Sequence, residues 1–384
     1  NLYDELDGAA PGLPSLLVKR WARWRAWDGT IDGRRTRRWR FRDPFPGGNG
    51  LKAGLLFWAG LVPACAGLWW WLRRTRVRVV NAHYPGLWLL PFAVLRRLTG
   101  RPRVFLISLH GLDLRDAGAS SGIRRRLWCW LLAAADRIPA CSAALAGEAR
   151  SAFPHVAARV EAIPNGVDPR GLQARARVPG VIAERLARGR RYIACVATFE
   201  AKKGQDVLLD AFAGLAHELP DLDLVLAGRD AGRLEGLRTR AEELGLGARV
   251  VFLPGLAHAC AQGVIREAEL FVLPSRYEPF GIVLLEAGVH GVAVVASRVG
   301  GVPEIIPDDR FGRLVPPGDP GALAQVLGDL LAHPDAARRL ARNLERRVHR
   351  HFTWRRAAAR YLELAGLARA AGATGAIAAG GGTG

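Results

Sequence analysis

From residue 192 onward the chain alternates short, wholly apolar runs with longer amphipathic ones. YIACVATF (192–199), LDLVLAG (222–228), RVVFLPG (249–255), ELFVLPS (269–275), VAVVAS (292–297) and GRLVPP (312–317) have the length of strands buried on both faces. Between them, stretches such as DVLLDAFAGLAHEL repeat apolar residues at helical spacing. A similar series comes earlier: VRVVNAH (77–83), VFLISLHG (104–111), RIPACS (137–142) and VEAIPNG (160–166), separated by helical stretches that include 121–134. Strand–helix repetition predicts parallel sheets with right-handed crossovers. Two series therefore predict two Rossmann-like α/β domains, 1–166 and 167–350, facing across a cleft. The turn residues PNGVDP (164–169) join them. Helical patterns fill 319–370, a last helix over 351–371 is expected to return toward the first domain, and the Gly-rich segment 372–384 reads as a disordered tail.

Two regions break the alternation. The first 50 residues are charged, Trp-rich and interrupted by PFPGGNG, which predicts irregular structure. Residues 53–72, AGLLFWAGLVPACAGLWWWL, are uncharged over the ~20 residues that a spanning helix needs. Arg73-Arg74 and a Trp cluster close that run, as at a membrane interface. Pro63 inside the run and the strand pattern that follows favour a helix pair, buried or interfacial, over a spanning helix.

Composition changes this picture in one respect. The 384 residues are half hydrophobic, enough for two cores, and the formal charge is +20. Arg supplies 51 of the basic residues and Lys only 4. Residues 1–150 hold 25 basic and 10 acidic residues, the remainder 30 and 25. Such a basic half suits an anionic lipid surface or a phosphorylated substrate, and equally a solvated Arg-rich face. No nucleic-acid recognition motif is present, so no nucleic-acid partner is expected. Five cysteines without a C-x-x-C pair point to a reducing, cytoplasmic setting. No His/Cys cluster has metal-ligand spacing. Asp221-Leu222-Asp223 is formally a D-x-D pair, but it precedes a strand and reads as a solvated turn.

The chemistry concentrates in PSRYEPFGIVLLEAGVHGVAVVASRVGGVPE (274–304). In doubly wound sheets ligands gather beyond the carboxyl ends of the strands. The strand ending at Pro274-Ser275 is followed by a helix expected near Phe280, whose first amides suit a phosphate. Gly281 lets a ligand approach the backbone. Glu278 and Glu286 lie about 12 Å apart in helical rise, at ~1.5 Å per residue. That separation is comparable to the two ends of a nucleotide sugar across its pyrophosphate.

These residues, E-P-F-G-x-x-x-x-E followed by S-R-V-G-G-V-P-E, resemble the retaining family-4 glycosyltransferases, glycosyl transferases group 1, of the GT-B fold. The resemblance extends over PNGVD (164–168), KKGQDVLLDAF (202–212), LAGRD (226–230) and LVPPGDPGALA (314–324), and covers roughly 77–365. It implies a nucleotide-diphosphate sugar as donor, with no cofactor; the cationic helix end and Lys203 can stabilise the leaving diphosphate without a metal, and the basic, Trp-rich first half suggests a glycan or lipid-linked acceptor. Glu278 would contact the donor sugar and Glu286 the ribose; the amides of Phe280, Gly281 and Ile282 would line the sugar-phosphate site. Lys203 would hold the pyrophosphate, and Arg229, Pro254 and Gly255 would frame the nucleobase. Thr198 stands where many relatives carry a diphosphate-binding Arg. His110, with Gly111 at a strand's end, would lie near the donor sugar with catalytic weight; His83 and Tyr84 would border the acceptor. The usual amino-terminal strand, Gly-Gly turn and helix are not recognisable, which implies a first domain lacking its first βα unit. Two other readings stay open: a non-catalytic homologue that binds a nucleotide sugar or a partner, and a nucleotide-sugar epimerase.

Overall fold

The computed structural model describes residues 54–367 throughout, Leu2, Glu5, Leu6 and residues 43–45, and the chain path alone of Leu17–Arg20, Trp27–Ile31, Arg34–Trp39 and residues 50–53. Residues 368–384, which include the expected tail, lie outside the described residues. The chain forms two compact units: one runs to Ile163 and resumes at Ala358, and the other is Pro164–Ala357.

In the first unit, β1 (Leu17–Arg20), β2 (Trp27–Ile31) and β3 (Arg34–Trp39) make a small sheet in the order β1-β3-β2. Irregular structure was expected here. β3 reads RRTRRW, and a strand without apolar alternation gives no period-2 signal. The apolar run that follows is one continuous helix, Gly50–Arg74, with Pro63 inside it, not a helix pair. One face, with Phe57, Leu68, Trp71 and Leu72, is buried and packs on helix Leu90–Thr99. The other exposes Leu55, Leu56, Trp58, Trp70 and Val62, the last at 76%. The helix is long and apolar enough to cross a membrane.

β4 (Val79–His83) pairs in parallel with β5 (Val104–Ser108), and β6 (Ile138–Ala140) with β7 (Val160–Ala162). Parallel bridges at Leu106–Arg137 and Leu109–Ala140 join β5 to β6. The strands thus lie side by side in chain order, and among the described residues β4 has β5 as its one strand neighbour. Helix Trp354–Leu364 carries the chain back into this unit: Tyr361 is buried against Ser108, and Arg360 pairs with Glu161.

The second unit holds six parallel strands: β8 (Arg191–Val196), β9 (Leu222–Gly228), β10 (Val250–Pro254), β11 (Leu270–Leu273), β12 (Ala293–Ser297) and β13 (Arg313–Val315). Their order is β10-β9-β8-β11-β12-β13. Renumbered from one to six, this is 3-2-1-4-5-6, the dinucleotide-binding order, with its reversal between β8 and β11. Ile193, Leu224, Leu226, Leu270, Val272 and Val295 supply strand residues to one buried core, to which helices Gln205–Ala216 and Pro320–Ala332 add Leu208, Phe212, Leu327 and Leu330. Strands buried on both faces must read as unbroken apolar runs, which is why all six were legible.

One reading of this unit is corrected. Asp223 is not in a solvated turn but inside β9 at 1% exposure. It accepts from Arg185 at 2.6 Å and Arg190 at 2.7 Å, with Arg249 at 3.6 Å. Asp221 beside it pairs with Arg191 at 2.7 Å. A buried carboxylate must be paired, and here arginines take both acids.

Candidate active site

The reversal point predicts where a ligand binds, and the two strands that flank it deliver charged side chains there. After β8 the chain runs through Ala197-Thr198 to a short turn, Ala201–Lys203, and Gly204. After β11 it runs through Pro274 to Gly281 and helix Ile282–Val289. The two loops touch. Lys202 O accepts from the Arg276 amide at 2.8 Å, and Arg276 holds Asp206 through two bonds of 2.8 Å. Gly204 sits at φ +66°, and a Cβ there would stand 2.0 Å from Pro274 O. Only glycine permits that approach.

This contact places Lys203 Nζ 2.6 Å from Glu278 Oε2. Glu278 is 8% exposed, and its other side-chain partner is Ser275 Oγ at 3.4 Å. A carboxylate offers about four lone-pair sites, so one short and one long bond leave it acceptor capacity. On its far side, Gly300 at φ +49° would put a Cβ 2.0 Å from Glu278 O, while the Gly301 amide bonds to that oxygen at 3.2 Å. The G-G of S-R-V-G-G thus clamps the Glu278 backbone.

Helix Ile282–Val289 begins two residues after the expected Phe280. Gly281 caps it at φ +100°, and the Leu284 amide turns back to Gly281 O at 2.9 Å. The remaining amides of that first turn have no intrahelical partner. Phe280 directs its ring into the core against Phe352, 6.0 Å between centroids, leaving its backbone as the available part.

Glu286 does not join Glu278. It faces helix His258–Arg266, with His258 Nε2 3.3 Å from its Oε1. That contact raises the pKa of His258 above the ordinary histidine value. His258 was absent from the sequence reading; a 28-residue separation and no motif gave no signal for it. Arg229 is exposed just past β9, and its carbonyl takes the Phe199 amide at 2.9 Å. The Gly255 amide bonds to Gly228 O at 2.9 Å, and Pro254 is exposed beside it. The Thr198 carbonyl accepts from Gln205 at 3.0 Å. Thr198, Lys203, Arg229, Pro254, Gly255, Glu278 and Gly281 therefore all belong to carboxyl-end segments of adjacent strands.

The first unit carries a different cluster at its own strand ends. His83 closes β4, and His110 follows β5; His83 Nδ1 lies 2.9 Å from His110 Nε2. Tyr84, at φ +53°, stacks its ring on His110 at 4.1 Å and 24°. Positive φ is uncommon for a non-glycine residue and marks a constrained backbone. Asp113 accepts from the amides of His110 at 3.0 Å and Gly111 at 2.7 Å, which fixes the loop that carries the imidazole. Burial pushes the His83 pKa down to about 4, and burial with the neighbouring His83 pushes His110 down to about 3. Both rings are neutral near pH 7.

Two family models fit the chain. The model for Glycosyltransferase Family 4 matches residues 25–170, and that for Glycosyl transferases group 1 matches 182–347. The chain belongs to the family-4 glycosyltransferases. A D-inositol 3-phosphate glycosyltransferase of Salinispora tropica is 35% identical over 254 residues, 62% of this chain and 52% of that protein. A glycogen synthase of Mycobacterium tuberculosis (strain CDC 1551 / Oshkosh) is 29% identical over 287 residues, 73% of this chain and 67% of that enzyme. The glycosyltransferase thus spans about half the length of the first relative and two thirds of the second. Among solved structures, HepE of Anabaena in complex with UDP and glucose superposes with a TM-score of 0.66 at 22% identity, covering 86% of each chain. That likeness shows the GT-B fold.

Proposed function

We propose that this glycosyltransferase takes a sugar from a nucleotide-diphosphate sugar and delivers it to an acceptor hydroxyl with retention of anomeric configuration, without a metal ion. The observation that carries the reading is the 2.6 Å Lys203–Glu278 pair at the reversal point of the sheet, beside the open first turn of helix Ile282–Val289. The pair is a site closed on itself. A diphosphate takes Lys203, and the sugar's hydroxyls replace the lysine on Glu278. Both charges then keep partners, which a buried ion pair requires. The UDP and glucose bound to HepE support a donor of this class.

Transfer breaks the anomeric C–O bond, and negative charge grows on the departing phosphate. Lys203 and the amides of Gly281 and Ile282 are aimed at that charge and lower the barrier. The leaving phosphate takes the acceptor's proton on the same face, which accounts for retention without a protein nucleophile. Glu286 accepts from the ribose hydroxyls, in exchange for His258.

The acceptor is proposed to be a lipid-linked or cell-envelope glycan at the cytoplasmic face of a membrane. In support, helix Gly50–Arg74 exposes Leu55, Trp58, Val62 and Trp70, and Arg73 and Arg74 cover Trp69 and Trp70 at 5.2 and 5.1 Å. Apolar and cationic groups on one helix suit an anionic lipid surface. Assay of a nucleotide-sugar panel with glycan and lipid acceptors tests the whole reading. Nucleotide release with an α-linked product from an α-linked donor is expected. Inversion of the sugar while it stays on the nucleotide, or tight binding without turnover, would reject it.

A further inference from the structure

Five side chains of the first unit form one continuous line of hydrogen bonds. Tyr361, on helix Trp354–Leu364, donates to Ser108 Oγ at 3.2 Å, and Ser108 donates to Asn81 Oδ1 at 2.7 Å. Asn81 Nδ2 lies 3.0 Å from His83 Nε2, and His83 Nδ1 lies 2.9 Å from His110 Nε2. Each group in this line has a fixed capacity to give or take a proton. An amide nitrogen only donates, so His83 Nε2 accepts. A neutral imidazole that accepts at one nitrogen carries its hydrogen on the other. His83 Nδ1–H therefore donates to His110 Nε2, and the hydrogen of His110 is left on Nδ1.

We propose that Tyr361, Ser108, Asn81 and His83 are positioning residues that lock His110 as the Nδ1–H tautomer, so that it serves as a neutral hydrogen-bond donor to a ligand oxygen and is barred from acting as a general base through Nε2. Among the described residues no side chain bonds to His110 Nδ1. The groups facing the two rings leave the assignment intact. Asp113 is occupied by backbone amides, and burial raises the phenols of Tyr84 and Tyr361, the latter to about 12, so both stay protonated donors. The depressed pKa values of both histidines keep the rings neutral through the physiological range. Had the Asn81 amide the opposite orientation, every donor in the line would reverse and His110 would point its hydrogen inward at His83. The hydroxyl class of ligand rests on the sugar-transfer reading, whereas the tautomer does not.

Imidazole-labelled protein examined by ¹⁵N NMR at pH 7.5 tests this directly, with the two rings assigned by signal loss in His83→Gln and His110→Asn. Nδ1–H tautomers are expected for both rings; an Nε2–H signal for His110 overturns the proposal without any variant. Asn81→Asp gives His83 a partner that only accepts. His83 must then donate from Nε2, which switches His110 to Nε2–H or moves His83 titration up from about 4. A folded Asn81→Asp protein with both properties unchanged overturns it as well. Tyr361→Phe removes the outer donor and is expected to leave fold and ring packing in place while a minor Nε2–H population of His110 becomes detectable; no change at all would exclude Tyr361 from the device. None of these readouts uses a donor sugar, so failure of the transferase reading would show separately, as absent turnover with the tautomers as expected.

Discussion

Both units set their functional side chains at the carboxyl ends of parallel strands, yet with opposite electrostatics. In the Pro164–Ala357 unit the centre is an ion pair, Lys203 and Glu278, with a helix N-terminus beside it. In the other unit it is a neutral relay that ends on His110. Under the proposed function the difference follows from what each would hold. A diphosphate needs fixed positive charge, and a competing carboxylate keeps that charge satisfied until the donor arrives. A hydroxyl needs directed hydrogen bonds, and neutral groups whose tautomers are set by their neighbours provide direction without attracting stray ions.

The sharpest way to break the comparison is Lys203→Ala. Loss of a donor aimed at developing charge costs about 2.7–4 kcal/mol in comparable sites, so turnover is expected to fall roughly 10²–10³-fold. Steady-state kinetics beside a thermal melt checks this; a large fall in Tm with proportionate inactivation would instead make the lysine structural.

Next in size is Gly204→Ala. Left-handed backbone costs a residue with a Cβ about 1–2 kcal/mol, and the clash with Pro274 O adds about 1–3 kcal/mol of overpacking. Urea unfolding should show the sum, and donor affinity should fall further because the Lys203 loop is displaced. An Ala variant as stable as wild type would mean the two loops need not touch.

The neutral cluster predicts an acid weakness. His83 and His110 have folded pKa values of about 4 and about 3, below the 6.5 of an unfolded histidine. The unfolded chain therefore binds more protons between those limits. The stability they contribute is complete above pH 6.5 and is lost as pH falls toward 4 and below. The loss is on the order of 3 kcal/mol for each ring by pH 4, visible as a falling urea midpoint. A His83→Gln variant should flatten that fall, and an equally steep profile would count against a neutral His83.

The smallest effect concerns the exposed helix face. Val62→Ser should weaken binding to vesicles containing anionic phospholipid about fivefold, the equivalent of roughly 1 kcal/mol of apolar contact. Flotation equal to wild type would remove that face from any membrane contact.

What the sequence disclosed follows the same division. The second unit was legible nearly strand by strand, because its strands are apolar on both faces and Glu278, Phe280, Gly281, Ile282 and Glu286 sit in one contiguous motif. In the first unit the four parallel strands were visible, but the Arg-rich strands before residue 40 were not, since their polar pattern carries no period. The apolar run at 53–72 was split at Pro63, where packing and length hold one helix together. His83 and His110 were found, but Asn81, Ser108 and Tyr361 were missed. A bond between Tyr361 and Ser108 spans 253 residues and leaves no mark on local pattern. Asp223 was misplaced for a related reason: its three arginines come from two segments, Arg185 and Arg190 on one and Arg249 on the other, each more than 25 residues away in sequence.

The most direct test of the ion-pair switch is a calorimetric comparison of UDP and GDP with their glucose and mannose conjugates, in wild type and Glu278→Gln. With Glu278 neutral, Lys203 is released from its partner. The account predicts that the bare diphosphate then binds at least as tightly as before, while the advantage of the preferred nucleotide sugar over it shrinks about tenfold. An unchanged advantage, or equal weakening of both ligands, would contradict it.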